Sequence, residues 1–334
     1  PKRASLDMTV PLVLVLAHPD DESMFLTPLI VSRSAKSPVY LLCLSTGNYD
    51  GKGSVRVKEL RDAAESLKIE RVSCVDNELL QDSQSITWPS AVVCNEIEKF
   101  LGSLFEGQPG IFTSVDVVTF DRWGVSGHVN HISTFEGVRD FGKEHRTITL
   151  GKNSSAKEIP ISYYSVISWQ SSLLKYFAPL LLLVCLIANK DETTAKHRTF
   201  VNSSVLPAWN AMKKHYSQWV WYRRLFVLFS SYSYVNVLER IEFSEVSGSE
   251  EEWNRRRFVE VMEKTGCTRG YRRPKERSER ESEILTGLVL VAISLVVMFA
   301  VFVQGYTVLP LVLPATLVWT YFNWFAMKLF VRRE

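Results

Sequence analysis

Leu12-Val13-Leu14-Val15-Leu16-Ala17-His18-Pro19-Asp20-Asp21-Glu22 is the stretch on which the fold turns. Six apolar residues lead straight into one imidazole and three carboxylates. An apolar run this short, with its β-branched valines, reads as a buried strand. Buried central strands of α/β folds end at a crevice, and ligands sit at their carboxyl ends. His18, Asp20 and Asp21 are then expected together on a crevice floor. A His with carboxylates is a metal-ligand set, and a spare carboxylate beside a metal can act as a base. The same residues also fit a plain strand-to-helix turn in which Asp20 or Asp21 only caps the next helix.

A second cluster strengthens the first reading. Val115 to Phe120 is another apolar run, ending at Asp121, and Gly124-Val125-Ser126-Gly127 leads to His128-Val129-Asn130-His131. Two His three positions apart share a face if a helix starts there. The chain has only six His, so finding two of them beside a second strand end is unlike a chance spacing.

Working outward, residues 1–9 read as a polar tail, 12–17 as a strand and 22–36 as a helix. Val39 to Ser45 is a strand and Gly47 to Ser54 a loop rich in Gly, Asn and Asp. Val57, Leu60, Ala64 and Leu67 recur at helical spacing, which predicts a helix over 55–68. Arg71 to Asp76 reads as a short strand. Pro89 to Phe105 reads as a helix, with Pro89 suited to its first turn. Val115 to Phe120 and Ser162 to Ser168 add strands, and 128–141 a helix. Strands alternating with helices predict a Rossmann-like α/β fold, a mostly parallel sheet with helices on both faces. Arg56 and Glu59 lie on the 55–68 helix, where solvated surface is the plain reading.

Composition removes several classes. The 334 residues carry a net charge of only +3, which points to no nucleic-acid partner. The five Cys are scattered, so neither a disulfide framework nor a thiolate zinc site is expected. No Gly-x-Gly-x-x-Gly or phosphate-binding loop is present, so no nucleotide cofactor is implied. Ser126 lacks the Gly-x-Ser-x-Gly setting of a serine nucleophile.

The chain changes character after Glu242. Residues 244–282 are strongly charged and read as an exposed linker. Ile284 to Val303 and Thr307 to Met327 are uncharged apolar runs, each long enough for a transmembrane helix. Gln304-Gly305-Tyr306 joins them, and basic residues flank both outer ends. The positive-inside rule then predicts a two-helix transmembrane hairpin with both ends in the cytosol. Before the break, residues 209–234 mix Trp209, Trp219, Trp221 and Tyr222 with Lys213, Lys214, Arg223 and Arg224. That mixture suits a membrane interface, and equally a helix packed on the sheet with a basic outer face. Ala178 to Ala188 is apolar but too short to span a bilayer, so it reads as a buried element or a lip at the membrane surface.

Taken together, Ala17-His18-Pro19-Asp20-Asp21-Glu22 and His128-Val129-Asn130-His131 resemble the zinc-dependent LmbE-like de-N-acetylases, and within them the PIG-L branch. Tyr40 to Tyr49, Thr119 to His131 and His215 to Arg224 extend the resemblance over residues 10 to 240. It implies a de-N-acetylase domain at 10–243, followed by the linker at 244–282 and the hairpin at 283–334. It implies that His18, Asp21 and His131 bind Zn2+, or another divalent metal, and that Asp20 is the general base. His128 is then an imidazolium that stabilises the oxyanion or protonates the leaving amine, and Asp121 a carboxylate that orients a His. Arg56 becomes a substrate contact, and His215 a pocket or packing residue. The implied reaction is zinc-dependent removal of the N-acetyl group from N-acetylglucosaminyl-phosphatidylinositol, the second step of GPI anchor biosynthesis. The implied setting is the endoplasmic reticulum membrane, with the catalytic domain facing the cytosol.

Pro310 to Pro314 and Trp324 to Phe330 separately resemble the C-terminus of PIG-Y, a small membrane subunit of the GPI N-acetylglucosaminyl transferase complex. Subunits of that transferase are therefore expected partners, beside the phosphatidylinositol glycolipid. Two alternatives stay open at this point: a de-N-acetylase of a soluble glycoside, and a non-catalytic membrane subunit of the transferase complex.

Overall fold

The computed structural model describes residues 10–105, 112–150, 157–168, 175 and 197–243. The first strand, β1 (Leu12–Leu16), is buried at all five positions. A strand apolar on both faces belongs in the middle of a sheet covered on both sides. Next come α1 (Asp21–Phe25), α2 (Thr27–Ser34), β2 (Val39–Cys43), α3 (Gly53–Ser66) and β3 (Arg71–Cys74). They are followed by α4 (Ser90–Phe105), β4 (Val115–Thr119), α5 (Gly124–Gly127), α6 (Val129–Glu144), β5 (Thr147–Leu150) and β6 (Lys157–Val166). The described body closes with β7 (His197–Val201), α7 (Leu206–Lys214), α8 (Trp221–Phe229) and β8 (Val235–Arg240).

The strands form an eight-stranded sheet in the order β3-β2-β1-β4-β6-β8-β7, with β5 on β6. Strands β3, β2, β1, β4 and β6 run parallel, whereas β6–β8, β8–β7 and β5–β6 are antiparallel. The expected mostly parallel sheet is therefore a mixed one. Its α/β half follows the anticipated alternation. Its far edge is added by β7 and β8, which the sequence reading assigned to no strand. From β1 the chain winds outward through β2 to β3, then crosses back to β4 on the other side of β1. Right-handed crossovers then put the helices before and after that jump on opposite faces. Accordingly α4 packs on α6, and α3 on α7.

The single helix predicted over 22–36 is broken. Helix α1 stops at Leu26, whose N–H bonds the Glu22 carbonyl, and α2 restarts with Pro28 in its first turn. Proline has no N–H to continue the ladder and its ring clashes with the preceding turn, so it starts a helix instead. Among the described residues no helix is long and apolar enough to cross a membrane. The expected linker, hairpin and 178–188 run lie outside the described residues.

Candidate active site

The reversal of strand order lies between β1 and β4. Their carboxyl ends open a crevice there, which is where open α/β sheets bind ligands. The loop after β1 carries His18, Asp20 and Asp21, and the segment after β4 carries His128 and His131. His18, Asp21, His128 and His131 are brought into contact, and Asp20 stands next in the chain to Asp21. His18, Asp20, Asp21 and His131 are buried, and His128 is partly so.

Hydrogen bonds fix which imidazole nitrogens remain available. His131 Nδ1 lies 2.9 Å from the Gly124 carbonyl, which only accepts, so Nδ1 carries the proton and Nε2 offers its lone pair. His18 Nε2 faces two acceptors, Asn130 Oδ1 at 3.2 Å and Asp82 Oδ1 at 3.2 Å, so its proton is there as well. The remaining atoms, His18 Nδ1 and His131 Nε2, stand 3.1 Å apart. Asp21 closes the triangle, with Oδ1 3.3 Å from His131 Nε2 and Oδ2 3.6 Å from His18 Nδ1. Donors about 2 Å from a tetrahedral ion stand roughly 3.3 Å apart, so the triangle has the size of a divalent cation's ligand set. Phe120 stacks on His131 with centroids 4.1 Å apart and holds its ring plane.

The charges agree with a cation site. Burial works against a charge on His18, but Asp21 and Asp82 outweigh it and raise its pKa to about 10. Burial likewise opposes ionisation of Asp21, yet His131 and His18 hold its carboxyl well below the usual range. Within the protein alone, a proton on His18 Nδ1 therefore takes the place where a metal ion would neutralise Asp21.

A second donor set overlaps the first, because ring nitrogens of His18, His128 and His131 all lie within 4.8 Å of one another. His128 differs from the other two in its bonding. It caps α6, its Nδ1 accepting the Asn130 N–H at 3.2 Å, which leaves the proton on Nε2. Burial and the neighbouring His18 and His131 push its pKa down to about 4. Without a metal, His128 is thus a neutral N–H donor; the imidazolium that the resemblance implies concerns the metal-loaded site.

Asp20 is not a helix cap. It stands before α1 but makes no side-chain capping bond, and its backbone has φ 127°. That region is rare outside glycine and costs of order 1–3 kcal/mol, so surrounding contacts must hold it. Its carboxylate is bonded by Arg223 of α8 and lies 3.5 Å from Arg56. Glu22 accepts the Asp20 N–H at 3.2 Å, and Glu22 Oε1 pairs with the fully buried His215 at 2.6 Å. His215 is therefore a buried brace for the loop.

Arg56 and Glu59 are buried, not solvated. Arg56 donates to the Gly47 and Pro19 carbonyls at 2.9 and 2.8 Å and pairs with Asp82 at 3.4 Å. Glu59 accepts the N–H and hydroxyl of Ser217 at 2.6 and 2.7 Å. Asp121 acts through the loop it builds. Its Oδ1 accepts from the N–H groups of Trp123 and Val125, and its Oδ2 from that of Ser168. It thereby steadies Val125 at φ 61° and sets the Gly124 carbonyl against His131. A Cβ at Gly124 would stand 2.8 Å from the His131 Cβ, so only glycine lets this loop approach α6.

The family model described as PIG-L, GlcNAc-PI de-N-acetylase, matches residues 13–141, a span holding both clusters. The N-acetylglucosaminyl-phosphatidylinositol de-N-acetylase of Bos taurus is 34% identical over 232 residues, covering 68% of this chain and 81% of the relative. The chain belongs to the GlcNAc-PI de-N-acetylase family. A probable family enzyme of Dictyostelium discoideum is 32% identical over 257 residues, covering 69% of this chain and 93% of that protein. Among solved structures, N,N'-diacetylchitobiose deacetylase from Pyrococcus horikoshii matches with a TM-score of 0.48 and 12% identity, over 71% of this chain and 87% of that one.

Proposed function

We propose that this chain hydrolyses the acetamide of N-acetylglucosaminyl-phosphatidylinositol, releasing acetate and a free glucosamine amine on the inositol lipid. The observation that carries the reading is the facing of His18 Nδ1, His131 Nε2 and the Asp21 carboxylate, with Asp20 next to Asp21 in the chain, in a member of this family. Two imidazoles and one carboxylate suit zinc, with a fourth position left for water. A zinc ion held there supplies Lewis acidity, polarising the acetamide carbonyl and acidifying water.

The chain's own residues carry the protons. Asp20 accepts a proton from the attacking water as its oxygen bonds to the carbonyl carbon. His128 donates a hydrogen bond from Nε2 to the oxyanion that develops. The C–N bond then breaks as Asp20 passes the proton it took from water to the nitrogen, which leaves as the amine, while the oxyanion collapses to acetic acid and ionises to acetate. Arg56 holds the Pro19 carbonyl and borders Asp20, so we assign it to bracing the loop; its place as a substrate contact rests on the resemblance alone. Asn130 and Asp82 keep the His18 proton on Nε2, the arrangement a ligating Nδ1 needs.

The lipid substrate calls for a membrane. The basic flanks of the two apolar runs support a catalytic domain on the cytosolic side of the endoplasmic reticulum membrane, with subunits of the GPI N-acetylglucosaminyl transferase as partners. The test of the reaction is acetate release from N-acetylglucosaminyl-phosphatidylinositol by the full chain, with and without a chelator. Stoichiometric acetate that disappears on chelation and returns with zinc is expected. Acetate release indifferent to chelation refutes the reading.

A further inference from the structure

Helix α8 has two opposite characters. Its inner side touches the reaction centre. Arg223 bonds the Asp20 carboxylate, and Phe226 meets Phe25 at 5.8 Å, which also lies 6.0 Å from the His131 ring. Val227 is buried against Ala208 and Met212 of α7. On the outer side Trp221, Tyr222 and Leu225 are 54%, 49% and 40% exposed. Trp221 and Leu225 are four residues apart, with Tyr222 beside them, so the three share one face. Just before α8, Tyr216 is 83% exposed. A surface helix normally turns its polar side to water, and this one turns aromatic and aliphatic groups outward.

The segment that carries this face has charges of one sign. No Asp or Glu stands between Glu192 and Glu239. Lys213, Lys214 and Arg224 are exposed there, and the Arg224 guanidinium lies 5.4 Å over the Trp219 ring. Aromatic groups with Lys and Arg, on a segment without carboxylates of its own, are the chemistry of a surface that meets anionic lipid headgroups.

We propose that the outer face of α8, with Tyr216 beside it, lies in the headgroup layer of an anionic membrane and sets the mouth of the catalytic crevice against it. The proposal rests on the reading that the substrate is a glycolipid. It explains why the helix that reaches the base carboxylate is also the one with an apolar exterior. A glycolipid can then present its sugar to Asp20 while its acyl chains stay in the bilayer.

The test uses the full chain reconstituted in phosphatidylcholine vesicles containing phosphatidylinositol. A nitroxide at Leu225→Cys, compared with one at the exposed Lys58→Cys of α3, reports depth through its accessibility to oxygen and to an aqueous nickel chelate. At 225 oxygen should win, and at 58 nickel. Nickel winning at both positions overturns the proposal. So does shielding of 225 from both reagents, which means a protein surface covers α8.

Activity gives an independent readout. Replacing Trp221, Tyr222 and Leu225 together with Ser should lower kcat/KM on vesicle-borne N-acetylglucosaminyl-phosphatidylinositol about tenfold or more, mostly through KM. Turnover of N-acetylglucosaminyl-inositol phosphate without acyl chains should be unchanged. Equal losses on both substrates overturn the proposal in favour of a packing role. A wild-type chain that turns over neither substrate refutes the activity reading instead, and the depth measurement then decides the surface by itself.

Discussion

The ends of β1 and β4 face each other across one crevice and are built in different ways. After β1 the chain needs only a few residues to deliver His18, Asp20 and Asp21. The turn is tight enough to force Asp20 to φ 127°, and its carboxylates are steadied from afar by Arg56, Arg223 and His215. After β4 the chain takes a longer route through a loop clamped by Asp121, and helix α6 then presents the imidazoles. Here the partners are local: the Gly124 carbonyl sets His131, and the Asn130 N–H sets His128. The carboxylate end is therefore positioned by ion pairs over long separations in sequence, and the imidazole end by hydrogen bonds within its own segment.

The comparison breaks most severely at the imidazole end. His131→Ala removes the nitrogen that faces both His18 and Asp21. It should abolish stoichiometric metal and bring acetate release to background, read by elemental analysis and an acetate assay. At the carboxylate end, Asp20→Asn keeps the shape and removes the proton acceptor. Metal should stay bound while kcat falls about 10²–10⁴-fold. Near-normal turnover of the metal-loaded variant would transfer the base role to another group.

Asn130→Ala deletes one of the two acceptors for His18 Nε2 and the acceptor for the Ser83 N–H, so metal affinity should fall about 10–100-fold in a competition titration. His215→Gln should change turnover least and stability visibly. Burial opposes the His215 charge, but Glu22 prevails and raises its pKa. A raised folded-state pKa gives stability that is complete below the unfolded value, about 6.5, and lost as pH rises through the folded value. The melting-temperature gap between wild type and His215→Gln should accordingly be widest near pH 6 and narrow in alkaline solution.

The parts legible in the sequence were those that depend on near neighbours. Leu12 to Ala17 is apolar without a break, and α3 keeps helical spacing through Leu60 and Ala64, so these elements announce themselves. His-x-x-His lies on α6 because its own residues cap and begin that helix. The missing parts are pairings over distance. Asp82 sits in a polar, aperiodic stretch, and nothing local shows that it meets His18 and Arg56. The Glu22–His215 pair spans 193 residues. Arg223 was read for its membrane chemistry, whereas its bond to Asp20 needs the fold to be seen. Strands β7 and β8 are hidden for a related reason: polar and charged residues such as His197, Arg198, Asn236 and Glu239 interrupt their apolar runs, and their antiparallel partners are set by tertiary contact. The break at Leu26 was legible in principle, since Pro28 stands inside the stretch read as one helix.

Two imidazoles and one carboxylate hold the metal in the proposed site, with His128 left outside as a hydrogen-bond donor. Two overlapping donor sets differ in just this respect, one closed by Asp21 and the other by His128. X-ray absorption spectroscopy of the zinc-loaded full chain, beside the same measurement on His128→Ala, separates them. The account predicts two imidazole ligands in both samples, with unchanged metal stoichiometry in the variant. Three imidazole ligands in the wild type, falling to two in His128→Ala, would contradict it.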